Sequence, residues 1–307
     1  MSLSTLLDRI LGAETAGRRL DAEVTMRERT VQCMGPHGLH RMAYREWGDP
    51  ANPRVLICAH GLTRNGRDFD TLATVLCRDY RVVCPDVAGR GRSEWLAVKD
   101  DYALPLYVSD MITLIARLDV ESIHWVGTSM GGLIGMLIAS QPGNPIHRLV
   151  LNDVGPVVTA ASVQRIGQYV GTAPDFPDIE SAETYLRTVC APFGALTDAQ
   201  WRHLTENAVT PLDGGGFAMA YDPGIGEPFR KNPVTEDVSL WPVYDAIRCP
   251  TMVIRGEESD LLERETLQEM ARRGPCARTV EIEAVGHAPM LLDEAQINLV
   301  RGFLLTD

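Results

Sequence analysis

Residues 123–140 read IHWVGTSMGGLIGMLIAS. A short apolar run of strand length, 123–127, passes without a linker into a second apolar run of helical length, 130–140. Gly127-Thr128-Ser129-Met130-Gly131 lies at the junction. A G-x-S-x-G sequence in that setting has a steric meaning. A serine on a sharp strand-to-helix turn is lifted clear of the sheet, and small residues two positions to either side let strand and helix approach. The turn aims the next backbone N–H, that of Met130, at the same point as the serine hydroxyl. The helix N-terminus adds a field that favours a developing oxyanion. Ser129 is therefore the expected nucleophile.

Outward from this turn, strand-like and helix-like stretches alternate. Residues 24–34 and 42–47 are expected to be strands joined by the Gly-Pro-His-Gly turn at 35–38. RVLICA at 54–59 is nearly all apolar, as in a strand buried on both faces, and HRLVLN at 147–152 is a further expected strand. Further strands are expected at 80–84, 251–255 and 279–283. Helical spacing occurs at 67–77, 106–118, 262–273 and 291–305. This rhythm specifies a mostly parallel α/β sheet covered on both sides. It lapses from about 155 to 241, where helical patterns at 160–169, 179–189 and 198–207 suggest an inserted helical segment. Apolar residues at Leu3, Leu6, Leu7, Ile10 and Leu11 predict an amphipathic N-terminal helix within 1–23, which would pack on the domain or on a second copy.

A serine nucleophile needs a base. His287, in Gly286-His287-Ala288-Pro289, follows the strand at 279–283 and precedes the last helix, where an imidazole can take and return the serine proton. The base needs an orienting carboxylate. Asp260, after the strand at 251–255, is the expected acid. Glu257, Glu258 and Asp153, the last at the end of the strand 147–152, are the alternatives. A second oxyanion donor is expected from the Leu62 N–H, because Gly61 in Ala59-His60-Gly61-Leu62 permits a tight bend; His60 would brace that loop. Arg64 and Asn65, just beyond, are candidates to bind a carboxylate or hydroxyl of the substrate.

Composition narrows the partners. Hydrophobic residues make up 45% and charged residues 23% of 307, ordinary globular usage. The net charge of −12 disfavours nucleic acid and anionic lipid. No run approaches the roughly 20 apolar residues that a membrane span needs, and no signal-peptide pattern interrupts the expectation of a cytoplasmic protein. Seven cysteines, with no C-x-x-C pair, are expected to be free thiols, not a metal site or disulfides.

His60-Gly61, Asp86-Val87-Ala88-Gly89-Arg90-Gly91-Arg92-Ser93, the turn at 127–131, Gly256…Asp260 and Gly286-His287 together resemble the α/β-hydrolase superfamily, in its esterase-, lactonase- and C–C-hydrolase-like group. The resemblance covers about 24–156 and 242–307. It implies an eight-stranded, mostly parallel sheet with helices on both faces, and 157–241 as a helical cap over the active site. Relatives acting on epoxides or carbon–halogen bonds carry aspartate where this chain has Ser129. Relatives that hydrolyse C–C bonds often have tryptophan after the active histidine, where this chain has Ala288. The resemblance therefore implies a cofactor-free hydrolase of a small or medium ester or lactone. A C–C hydrolase of vinylogous diketones and a receptor-like binding protein are the alternatives.

Overall fold

The computed structural model describes residues 25–172 and 174–306. The helix expected within 1–23 lies outside the described residues. Eight strands form the central sheet: β1 (Met26–Gly35), β2 (Gly38–Trp47), β3 (Val55–Ala59), β4 (Arg81–Pro85), β5 (Ile123–Thr128), β6 (Ile146–Asn152), β7 (Thr251–Gly256) and β8 (Arg278–Ile282). Their spatial order is β1-β2-β4-β3-β5-β6-β7-β8. β2 pairs antiparallel with β1 and β4, and the other neighbours run parallel.

The all-apolar strands have the side chains that two covered faces require. Along β3, Val55, Ile57 and Ala59 join one core, while Leu56 and Cys58 join the other. The first core packs under α2 (Leu104–Leu118) and α3 (Met130–Ala139), through Met111, Leu114, Ile134 and Ile138. The second packs under α1 (Asp70–Leu76) and the C-terminal helix (Glu294–Leu305), through Leu72, Leu76, Ile297 and Val300. All seven cysteines are free, and Cys33, Cys58, Cys77 and Cys84 are buried. Among the described residues no helix is long and apolar enough to cross a membrane.

Between β6 and β7 the chain leaves the sheet. Val157–Val158 pairs antiparallel with Val238–Ser239, closing a neck at the base of the excursion. Beyond the neck lie α4 (Ala160–Tyr169), α5 (Ile179–Val189) and α6 (Asp198–Ala208). α5 starts where the Asp178 side chain accepts the Ser181 N–H, and α6 where Thr197 and Gln200 form a reciprocal capping box. A hairpin of Val209–Pro211 and Phe217–Met219 follows. Backbone bonds fasten this segment to the sheet side, among them Gly91 N–H to Ala220 O at 2.8 Å, Asp222 N–H to Gly89 O at 2.8 Å, and Gly286 N–H to Pro192 O at 2.7 Å. Tyr102 and Lys99 also grip the buried Asp222 carboxylate.

Candidate active site

The turn between β5 and α3 is as tight as its composition requires. Ser129 has φ 52° and ψ −115°, a left-handed backbone that few non-glycine residues adopt. A Cβ on Gly127 would lie 2.3 Å from Gly131 O, and one on Gly131 would lie 2.0 Å from Ala59 O. Both positions are closed to any side chain because the obstacle is backbone. Ser129 N–H is held by Asn152 O at 2.9 Å. The buried Asn152 amide donates to Thr128 Oγ1 at 2.9 Å and to Pro289 O at 2.7 Å, tying the turn to the loop that carries His287.

That loop brings the imidazole to the serine. His287 Nε2 lies 3.0 Å from Ser129 Oγ, and His287 Nδ1 lies 2.6 Å from Asp153 Oδ2. A carboxylate only accepts, so Nδ1 carries the proton and Nε2 is left to accept from the Ser129 hydroxyl. Asp153 is fully buried, with φ 53°. Its Oδ1 accepts the Gly256 N–H at 2.8 Å, and its Oδ2 also accepts the Ser259 hydroxyl at 2.6 Å. Ser259 Oγ in turn accepts the Leu261 and Leu262 N–H groups at 3.2 Å, which directs its own proton to Asp153.

The acid beside His287 is thus not the expected Asp260. Asp260 is 55% exposed and pairs with Arg165 of α4 at 2.9 Å. Glu257 accepts the Ala284 N–H at 3.2 Å and does not reach the histidine either. The physical reason lies in the sheet order. β6 runs between β5 and β7, so a residue turned inward at the end of β6 meets the serine turn on one side and the β7 loop on the other. Within the β7 loop it is Ser259 that faces inward, and Asp260, one residue on, faces out. Nothing in the sequence singles out Ser259, because a loop serine beside three acids carries no distinguishing pattern.

His60 and Arg90 hold the loop opposite the serine. His60 Nε2 accepts the Val87 N–H at 2.9 Å, so its Nδ1–H donates to Gly61 O at 2.7 Å. Arg64 N–H donates to the same carbonyl at 3.2 Å. In a trans peptide the Leu62 N–H points away from that carbonyl. Leu62 O accepts Arg90 Nε–H at 2.9 Å, and Arg90 further donates to Ala88 O at 2.7 Å and Tyr107 Oη at 2.9 Å. Arg90 is wholly buried among the rings of Tyr102 and Tyr107, with its third nitrogen 4.0 Å from Met130 Sδ. Met130, first residue of α3, leaves its N–H without an intrahelical acceptor. Gly89-Arg90-Gly91 has the composition of a solvated turn, so nothing in the sequence marks Arg90 as a buried brace.

Of the two residues expected to bind substrate, Asn65 is occupied. Its Oδ1 accepts the Arg67 N–H at 3.0 Å, and its Nδ2 donates to Asn207 O of α6 at 2.6 Å. Arg64 is buried against Asp68. Among the described residues, metal-like spacing of His, Cys and acid occurs at Cys33, His40 and Asp110. There His40 Nε2 and Asp110 Oδ2 are in direct hydrogen bond at 2.8 Å, and the cluster sits on β1, β2 and α2, not on the elements that carry Ser129.

Burial pushes the His60 imidazole down to about 4. Between pH 6.5 and 4 the unfolded chain binds a proton that folded His60 refuses, so stability rises with pH across that window. The His60 contribution is complete above pH 6.5 and disappears as pH falls toward 4. A lowering of that size corresponds to about 3 kcal/mol. His124, also held near 4 by burial, titrates in the same window. Unfolding measured by denaturant at pH 4 to 7 is expected to show a shallower slope for His60→Gln than for the wild type. Equal slopes would mean that His60 is not buried in neutral form.

Residues 56–298 match the alpha/beta hydrolase family. The chain belongs to that family and is a hydrolase. It is 55% identical over 280 residues to a 3-hydroxybutyrate-oligomer hydrolase of Cupriavidus necator, covering 89% of this chain and 96% of that protein. Among solved structures it resembles a putative hydrolase from Rickettsia typhi, with TM-score 0.84, 34% identity, and 91% and 98% of the two chains covered. An alpha/beta hydrolase from Novosphingobium aromaticivorans matches with TM-score 0.81, 35% identity, and 92% and 99% covered.

Proposed function

We propose that this chain hydrolyses a carboxylic ester through an acyl-enzyme on Ser129. The observation that carries the reading is the unbroken hydrogen-bond series Ser129 Oγ, His287, Asp153 on a strained turn facing the Leu62 loop. His287 Nε2 takes the hydroxyl proton as Ser129 Oγ attacks the ester carbonyl. The Leu62 and Met130 N–H groups receive the oxyanion. Collapse breaks the bond to the alcohol oxygen, which leaves with the proton from His287. Water, deprotonated by the same nitrogen, then attacks the acyl carbon; the bond from that carbon to Ser129 Oγ breaks, His287 returns the proton to Oγ, and the acid leaves. Asp153 keeps the Nδ1–H tautomer and stabilises the imidazolium between the two steps.

The segment 157–241 is the cap in this reading. Its Trp201 and Leu204 pack on Met290 and Leu292, just past His287, so the cap bounds the substrate space from above. The substrate class follows from the Cupriavidus necator relative: oligomeric esters of 3-hydroxybutyrate. The test is a panel of 3-hydroxybutyrate dimer and trimer, p-nitrophenyl butyrate, a lactone, and a vinylogous 1,5-diketone. The hydroxy-acid esters are expected to give the highest kcat/KM. A diketone preference would replace ester chemistry with C–C cleavage, and binding without turnover of any member would replace the enzyme with a receptor.

A further inference from the structure

We infer that Arg64 receives a free carboxylate on the alcohol side of the scissile ester, so that the preferred substrates are hydroxy-acid esters ending in an acid; this rests on the ester-hydrolase reading above.

Two buried arginines flank the loop at 61–64, and they differ in what remains of their hydrogen bonding. Arg90 has every guanidinium nitrogen engaged. Arg64 spends Nε and Nη2 on Asp68, at 2.9 and 2.6 Å. Its Nη1 makes no hydrogen bond among the described residues, yet it is not sealed among the buried orphan atoms. Arg64 is only 9% exposed, and a buried guanidinium that keeps an unpaired nitrogen has given up water without a full replacement.

The stem of Arg64 lies near the reacting serine. A methyl placed on Gly61 would be 3.8 Å from Ser129 Cβ and 3.9 Å from Arg64 Cγ. The space over Gly61 is therefore shared by the nucleophile and by the stem of Arg64. The next residue, Asn65, donates to Asn207 O of the 157–241 segment at 2.6 Å, so the loop that carries Arg64 meets that segment.

The ligand chemistry follows from charge. A chain of net charge −12 repels an acid unless the cleft holds a local cation. Asp68 fixes the plane of the guanidinium and offsets part of its charge, leaving one edge to donate to an oxygen anion. In an ester of two hydroxy acids, the alcohol half ends in such a carboxylate a few bonds from the scissile oxygen.

The experiment compares 3-hydroxybutyrate dimer as the free acid with its terminal primary amide, which keeps the size and removes the charge. The wild type is expected to favour the acid about tenfold in kcat/KM, mainly through KM, the equivalent of about 1.4 kcal/mol. The ratio should fall toward one in Arg64→Gln, and also in Arg64→Gln/Asp68→Asn, which leaves no unpaired carboxylate behind. Equal use of acid and amide by the wild type overturns the assignment, as does a preference that persists in both variants. p-Nitrophenyl butyrate separates the two failures. If it is hydrolysed while the acid preference is missing, Arg64 alone is misassigned; if it is not hydrolysed, the ester reading fails with it.

Discussion

Asp153→Asn is expected to lower kcat about 10³–10⁴-fold, while Asp260→Asn changes it less than about twofold. An asparagine at 153 turns an acceptor into an amide that can present its Nδ2 to the imidazole. His287 is then drawn into the tautomer with its proton on Nε2, facing Ser129 Oγ, and it cannot act as a base. KM should move little, because Asp153 is buried behind the histidine and has no access to substrate. The variant also weakens the bonds from Gly256 and Ser259, so circular dichroism and a melting curve must accompany the kinetics. Asp260 holds only an exposed ion pair with Arg165, worth between nothing and about 1 kcal/mol. The reverse result, an inactive Asp260→Asn beside an active Asp153→Asn, would remove Asp153 from the site.

The second large effect is on folding. Gly131→Ala places a methyl 2.0 Å from Ala59 O and 2.4 Å from its carbonyl carbon. No rotamer relieves a clash between two backbones, so β3 and α3 must separate. Overpacking of a well-ordered core costs about 1–3 kcal/mol, and this contact, with no flexible end to give way, belongs at or beyond the top of that range. The separation also moves the Met130 N–H relative to the Leu62 loop. Denaturant unfolding should show a loss of about 3 kcal/mol or more, with activity reduced even in the fraction that folds. A variant as stable and active as the wild type would contradict the close approach of β3 and α3.

Much of this arrangement was legible in the sequence, for identifiable reasons. RVLICA marks β3 because a strand covered on both faces needs apolar side chains in both directions. The turn at Ser129 was legible because its glycines sit where only glycine fits. His287 was legible from its place after the last strand. The acid was not, since Asp153 and Asp260 both follow apolar strands, and what separates them is the sheet order and the inward turn of Asp153 at φ 53°. The three main helices of the 157–241 segment showed in their periodicity. Its hairpin, made of two three-residue strands, is too short to have one. Arg90 is the clearest loss, because a charged side chain between two glycines has no pattern that separates a solvated turn from a buried brace.

Ester hydrolysis through Ser129 requires a covalent acyl intermediate on that residue. The decisive measurement mixes the protein with p-nitrophenyl butyrate, quenches in acid within the first turnover, and maps the peptides by mass spectrometry. The expected result is one butyryl group on the peptide that carries Ser129, present in the wild type and absent from Ser129→Ala. An unmodified Ser129 peptide under rapid turnover, or the same acyl group on another residue, would contradict it.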